Sequence, residues 1–224
     1  MLNPFQNECL EAIMNSDSVT ALALVDGWAG EYGYQNVISG VLDPILEELG
    51  DRWTRQKDVS FAQVYVSASI AEEIILKVLA QDPLSGDRAH KGTIVLGNIE
   101  DDFHTLGRRL VAIFLKSAGW DVLDLGNDVM AETFVDKAVE VDAKIIAVSA
   151  MMYTTAKNIG KVRAEIDARG YHGRIQLAVG GAVFNLRHEL WLEVGADGSS
   201  RNAIDADSLM MKLQEKAMQA GGAI

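Results

Sequence analysis

The chemistry open to this sequence gathers around one imidazole. His104 lies in Gly97-Asn-Ile-Glu-Asp-Asp-Phe-His-Thr-Leu-Gly107, two residues after Asp102 and three before Gly107. A neutral imidazole is a metal ligand, and a carboxylate at its other ring nitrogen fixes the tautomer and raises its basicity. The glycine three residues on removes side-chain bulk where something large must pass. As a bare pattern, a histidine near an aspartate in a loop equally describes a surface hydrogen bond. Two more clusters accompany it, Ser149-Ala-Met-Met-Tyr-Thr-Thr155 and Gly180-Gly181. Taken alone, Ser149 reads as a helix N-cap and the paired glycines as a plain turn. His90, His172 and His188 share no ligand spacing and read as solvated surface residues.

The elements that position these clusters follow from periodicity. Thr93-Ile-Val-Leu96, Val122-Leu-Asp-Leu125, Lys144-Ile-Ile-Ala-Val148 and Arg174-Ile-Gln-Leu-Ala-Val179 are short aliphatic runs that end in glycine or small polar residues. Helix-length segments at 105–118, 131–141, 155–169 and 185–193 alternate with them. A last short strand near Ala196 and a helix over 203–217 make five units. That alternation predicts right-handed βαβ crossovers and a parallel sheet. Ligands of such sheets bind beyond the carboxyl ends of the strands. The loops at 97–104, 126–130, 149–154, 180–184 and 197–202 are therefore the ones to inspect, and they hold all three clusters.

The first 81 residues read differently. Ser60-Phe-Ala-Gln63 is a capping box, and Phe61, Val64, Ala68, Ala71, Ile75 and Val78 behind it share one helix face. Val37, Val41, Ile45 and Leu49 form a second stripe, interrupted by Pro44, and 4–15 and 18–29 read as two further helices. Between the halves, 82–91 is polar and carries Pro83 and Gly86, the signature of a linker.

Composition excludes several classes. Twenty basic against 32 acidic residues give a net charge of −12, which disfavours nucleic acid and an anionic membrane as partners. Cys9 is the one cysteine, so the chain is no disulfide scaffold or thiolate-rich zinc site. Neither a signal-peptide pattern nor a long apolar run is present, and the cytoplasm is the expected location. The loop after the first strand lacks G-x-G-x-x-G and G-K-[ST], and its acids would repel the phosphate of a flavodoxin. Asp101 and Asp102 fit a phosphoacceptor receiver, but Ser149 and Gly180-Gly181 stand where that fold needs an aspartate and a lysine.

The three motifs in this order, behind a helical segment, resemble the cobalamin-binding proteins built like the cobalamin module of methionine synthase, with D-x-H-x-x-G, S-x-L and G-G. The resemblance spans residues 10–218 and is greatest to the small corrinoid proteins of methyltransferase systems. Asp124-Leu-Gly-Asn-Asp-Val129 with Glu132-Thr-Phe-Val135 resembles their second strand and following helix, and Gly195-Ala-Asp-Gly198 their last strand turn. It implies an α/β architecture: an N-terminal four-helix cap bundle (1–81), the linker (82–91), a flavodoxin-like (Rossmann-like) five-stranded parallel-sheet domain that binds cobalamin (92–218) and a frayed tail (219–224).

It also implies residue roles. His104 would be the lower axial ligand to cobalt, with Asp102 as its hydrogen-bond partner. Gly107 would leave room for the nucleotide tail, Ser149 would bond the buried benzimidazole, and Gly180 and Gly181 would let backbone approach that ring. Met151 stands where the family has leucine, and Tyr153 where it has a small hydroxyl, a role Thr154 or Thr155 could fill at the corrin edge. Asp101 replaces a glycine, at a position where a positive φ would be tolerable for aspartate. Ser199-Ser200 replace an aromatic-small pair. In the cap, Trp53, Phe61 and Tyr65 would shield the upper face or simply pack the bundle.

The implied function is that of a corrinoid methyl carrier shuttling between cognate methyltransferases, served by a reductive activator. The carrier is not a complete enzyme by itself. A stand-alone light or redox sensor is the alternative, since Trp53–Tyr65 resembles the cap segment of cobalamin photoreceptors, although Val64-Tyr65 stand where those have Glu-His and count against it. His104 could also ligate a haem iron.

Overall fold

The computed structural model describes residues 2–52, 60–81 and 90–221. The chain divides into two units, 1–86 and 87–224.

The first unit is helical: α1 (Pro4–Met14), α2 (Ser18–Tyr32), α3 (Asp43–Asp51) and α4 (Phe61–Gln81), with a 3-10 turn at Tyr34–Asn36 and a π-helical turn at Ile38–Leu42. The Ser60 capping box forms, its backbone N–H reaching Gln63 Oε1 at 2.9 Å and its hydroxyl receiving the Gln63 N–H at 3.2 Å. A second box that the sequence reading passed over opens α1, where Asn3 and Gln6 exchange bonds of 2.8 and 2.9 Å. The stripe Val37, Val41, Ile45 and Leu49 is buried. Its interruption at Pro44 is absorbed by starting α3 there, where a missing N–H costs nothing. The carbonyl of Gly40, which an N–H four residues on would have used, instead accepts from Gln6 Nε2 at 2.9 Å.

The second unit is β1 (Thr93–Asn98), α5 (Thr105–Ser117), β2 (Asp121–Asp124), α6 (Ala131–Glu140), β3 (Ile145–Ser149), α7 (Tyr153–Ala156), α8 (Ile159–Ala168), β4 (Gln176–Gly180), α9 (Ala182–Leu186), α10 (Leu190–Glu193), β5 (Gly198–Ser199) and α11 (Ala203–Gly221). The strands pair in parallel in the order β2-β1-β3-β4-β5, the flavodoxin-like order. Both faces are covered, which is why the strands read as continuous apolar runs. Val95, Ile146, Val148, Leu177 and Val179 pack with Phe134 of α6 and Val162 of α8. Ile94, Leu96, Ile145, Ala147 and Ala178 pack with Leu115 of α5 and Met210 of α11.

The structure refines several expectations. The helix expected at 155–169 is two, because Asn158, Gly160 and Lys161 donate three residues back and tighten the chain between α7 and α8. The helix expected at 185–193 is likewise split into α9 and α10. The final strand, expected near Ala196, is Gly198–Ser199, and just before it Asp197 pairs with Leu177 through both its backbone N–H and its carboxylate, each at 2.7 Å. The tail expected to fray from 219 is helical through Gly221, and 222–224 lie outside the described residues.

At the start of this unit Lys91 is held fast. Its ammonium meets Asp207 at 2.7 Å, its carbonyl accepts from Gln214, and its N–H donates to Gly119.

Candidate functional site

The order β2-β1-β3 reverses direction between β1 and β3, so a crevice opens at their carboxyl ends. Asn98 and Ser149, partners in register, are the last residues of those two strands. The Asp102–His104 loop springs from this point.

Asp102 is fully buried. Its Oδ1 accepts from Asn98 Nδ2 at 2.9 Å, from the His104 N–H at 3.0 Å and from His104 Nδ1 at 3.1 Å. Its Oδ2 accepts from the Met151 N–H at 2.7 Å and from Thr155 Oγ1 at 3.0 Å. Burial pushes the carboxyl pKa up, but the bonds from Met151, His104, Asn98 and Thr155 outweigh it and hold the group below the usual carboxylate value. An ionised Asp102 makes His104 Nδ1 the donor. The Nε2 lone pair is then left for a ligand, on a side chain that is 45% exposed.

The loop is buttressed from β2. Asp128 accepts the Asp101 N–H at 2.8 Å and donates its own to the Asp102 carbonyl at 3.2 Å. Asp101 has φ +66°, a left-handed conformation that aspartate is among the few residues able to tolerate. Arg108, almost buried, pairs with Asp124 and reaches Asn127 Oδ1 at 3.3 Å, fixing the 124–129 turn.

The glycines fall into two kinds. A Cβ on Gly181 would lie 2.1 Å from the Ala150 carbonyl oxygen, and its φ is +115°, so the chain's own backbone demands glycine. Around Gly107, the third residue of α5, a Cβ would meet nothing within 4 Å, and at Gly180 it would touch only Ser200, at 3.5 Å or more. Gly181→Ala is therefore expected to destabilise the second unit by about 3 kcal/mol, read as a lowered urea midpoint. An unmoved midpoint would contradict the packing described.

Other expected site residues are placed as follows. Ser149 ends β3 and is not an N-cap; that position before α7 belongs to Met152, which makes no side-chain cap. Thr154 and Met151 are exposed. The Tyr153 ring lies between the Lys157 ammonium, 4.4 Å from its centroid, and the Arg187 guanidinium at 4.3 Å. Bonds from Arg187 and then Lys157 lower its phenol pKa. Thr155 is buried against Asp102, not at an exposed edge. Trp53 and the side chains of Phe61, Val64 and Tyr65 lie outside the described residues, as does 82–89. Sequence reasoning missed Asn98 and gave Thr155 a different part. Nothing in their spacing announced that both would converge on one carboxylate.

The donor set points to a particular kind of ligand. Among the described residues no group of three or more His, Cys, Asp or Glu could hold a bare metal ion. A metal at His104 Nε2 must bring its other ligands with it, as a macrocycle does. Phe103, Met130, Met151 and Met152 stand exposed on the loops after β1, β2 and β3, strands adjacent in the sheet. Apolar groups so exposed mark a surface that something covers. The residues present thus fit a metal tetrapyrrole.

Fold and site together define a class. Residues 92–206 match the family model described as the B12 binding domain, and the chain belongs to that B12-binding family. Within it, the chain is 33% identical over 204 residues to the dimethylamine corrinoid protein of Methanosarcina barkeri, covering 89% of this chain and 92% of that one. It is 38% identical over 201 residues to dimethylamine corrinoid protein 2 of Methanosarcina mazei, with coverage of 89% and 92%. The solved structure of the Methanosarcina barkeri monomethylamine corrinoid protein shares its fold, with a TM-score of 0.76 at 23% identity over 92% of this chain and 96% of that one. No helix among the described residues is long and apolar enough to cross a membrane.

Proposed function

We propose that this protein carries methyl groups on a bound cobalamin, between a methyltransferase that draws on a methylated amine and a second methyltransferase that consumes the group. The observation that carries the reading is the reach of the similarity: at 89% of the chain, it runs through the helical unit as well as the B12-binding one. Those relatives lend no support to the light-sensor alternative, and the family match favours a corrinoid over haem. The net charge of −12 argues against nucleic acid, a reductive activator completes the partners, and we assign the protein to the cytoplasm.

When bound, the cofactor supplies a cobalt that alternately accepts and releases a methyl group. The chain's own contribution begins with His104, whose Nε2 would hold the cobalt while Asp102 keeps the proton on Nδ1. Gly107 and Gly180 keep open the space beside the sheet that the nucleotide tail would take. The Ser149 hydroxyl, half-buried at the end of β3, would bond its base. A cleft of about 310 Å³ bordered by Ser199, Ser200 and Lys212 adjoins Gly180.

The test loads the full chain with hydroxocobalamin, reduces it with titanium(III) citrate and adds dimethylamine with its methyltransferase. The absorption spectrum is expected to report methylation of the reduced cofactor and its reversal by an acceptor enzyme. Failure to bind, or a light-driven change of oligomeric state without methyl transfer, would count against the carrier.

A further inference from the structure

We infer that Asn98 is a positioning residue that limits how much of the Asp102 charge reaches His104, and so moderates the strength of the lower ligand. The inference rests on the corrinoid reading of His104 and goes beyond it.

Asn98 closes β1 and is fully buried. Both its amide hydrogens are engaged, with Asp102 Oδ1 at 2.9 Å and with the His104 carbonyl at 3.0 Å. Its own Oδ1 is buried with no hydrogen-bond partner. Leaving an amide oxygen in that state costs about 1–3 kcal/mol, which an aliphatic residue would avoid. The opposite amide orientation would set that oxygen against a carboxylate and a carbonyl, both acceptors, so the network fixes which way the group points. The side chain is therefore present for its two N–H groups.

Those groups are not needed to hold Asp102 in place. The Met151 N–H, the Thr155 hydroxyl and the His104 N–H already do so. What Asn98 adds is a third donor on Oδ1, an oxygen with two lone pairs. The contact that yields is the one to the ring: His104 Nδ1 to Oδ1, at 3.1 Å, is the longest of the five bonds to this carboxylate. A carboxylate behind a metal-bound imidazole raises its basicity. Asn98 divides that effect.

Asn98→Leu removes both amide hydrogens and the orphaned oxygen together, and Asn98→Thr keeps one donor. Each is loaded with hydroxocobalamin as full chain, reduced to cobalt(II) for an electron paramagnetic resonance spectrum, and titrated with titanium(III) citrate across the cobalt(II)/cobalt(I) couple. Cobalt(I) holds no axial base, so a stronger lower ligand favours the oxidised member. Asn98→Leu is expected to keep the nitrogen splitting of His104 and to make reduction about tenfold less favourable, a shift of about 59 mV to more negative potential for one electron. Asn98→Thr should fall between it and the wild type. A potential that stays put, or moves the other way with loss of nitrogen splitting, overturns the inference, because a mere clamp on the loop would do that. If Asn98→Leu does not fold, an unmoved potential in Asn98→Thr overturns it equally. Wild-type protein that binds the cofactor without nitrogen splitting removes the underlying ligand assignment and this inference with it.

Discussion

His104→Ala is expected to abolish nitrogen ligation of the bound cofactor while leaving the fold almost untouched. The side chain is 45% exposed, and its ring supplies only one of the five bonds to Asp102. Four donors remain on the carboxylate, and the His104 backbone N–H is among them. The unliganded variant should therefore unfold within about 0.5 kcal/mol of the wild type, as surface substitutions do. The loaded cobalt(II) form should lose its nitrogen splitting altogether, and added imidazole should restore it. An unchanged spectrum would remove His104 from the metal.

Asp102→Ala is expected to damage both. Its loss strands the buried Asn98 amide hydrogen and the part-buried His104 and Met151 N–H groups and His104 ring, while the Thr155 hydroxyl keeps the Met152 carbonyl at 3.0 Å. Each donor left without an acceptor costs about 1–3 kcal/mol, so the second unit should lose several kcal/mol and the ring its tautomer. Asp102→Asn does not rescue it, because every neighbour is a donor and the new NH2 must face at least one of them. The acid limb offers an independent check. The folded pKa lies below the usual value, so the stability this group contributes is complete above the unfolded pKa of about 3.9 and is lost as pH falls through the folded pKa. Urea midpoints of the wild type should drop across that acid window, and those of Asp102→Ala should lack that part of the drop. Parallel pH profiles would refute the assignment.

Much of this was legible in the sequence because it is local. The Ser60–Gln63 box, the apolar stripe from Val37 to Leu49 and the strand runs each declare themselves within a dozen residues. The Asp102–His104 pair is legible for the same reason. What escaped is long-range. Thr155 is 53 positions from the carboxylate it serves, and its partner is set by how far β3 runs before the chain turns. Asn98 is near in sequence, yet a strand-ending asparagine ordinarily reads as punctuation, and only the reversal of the loop brings its amide back. The π-helical turn before Pro44 is coupled to Gln6, 34 positions upstream. The splits between α7 and α8 and between α9 and α10 came from bonds one residue shorter than the helical pattern, which composition does not mark.

The open space at Gly107 has a consequence for how this protein would respond to selection. Glycine inside a helix gives up about 1 kcal/mol relative to alanine, and here no neighbouring atom forbids the methyl group. Evolution for heat tolerance of the empty protein would find Gly107→Ala an accessible gain, whereas Gly181 offers no such route. Under the proposed function, in which the nucleotide tail would pass this position, glycine here would trade stability of the fold for room beside α5.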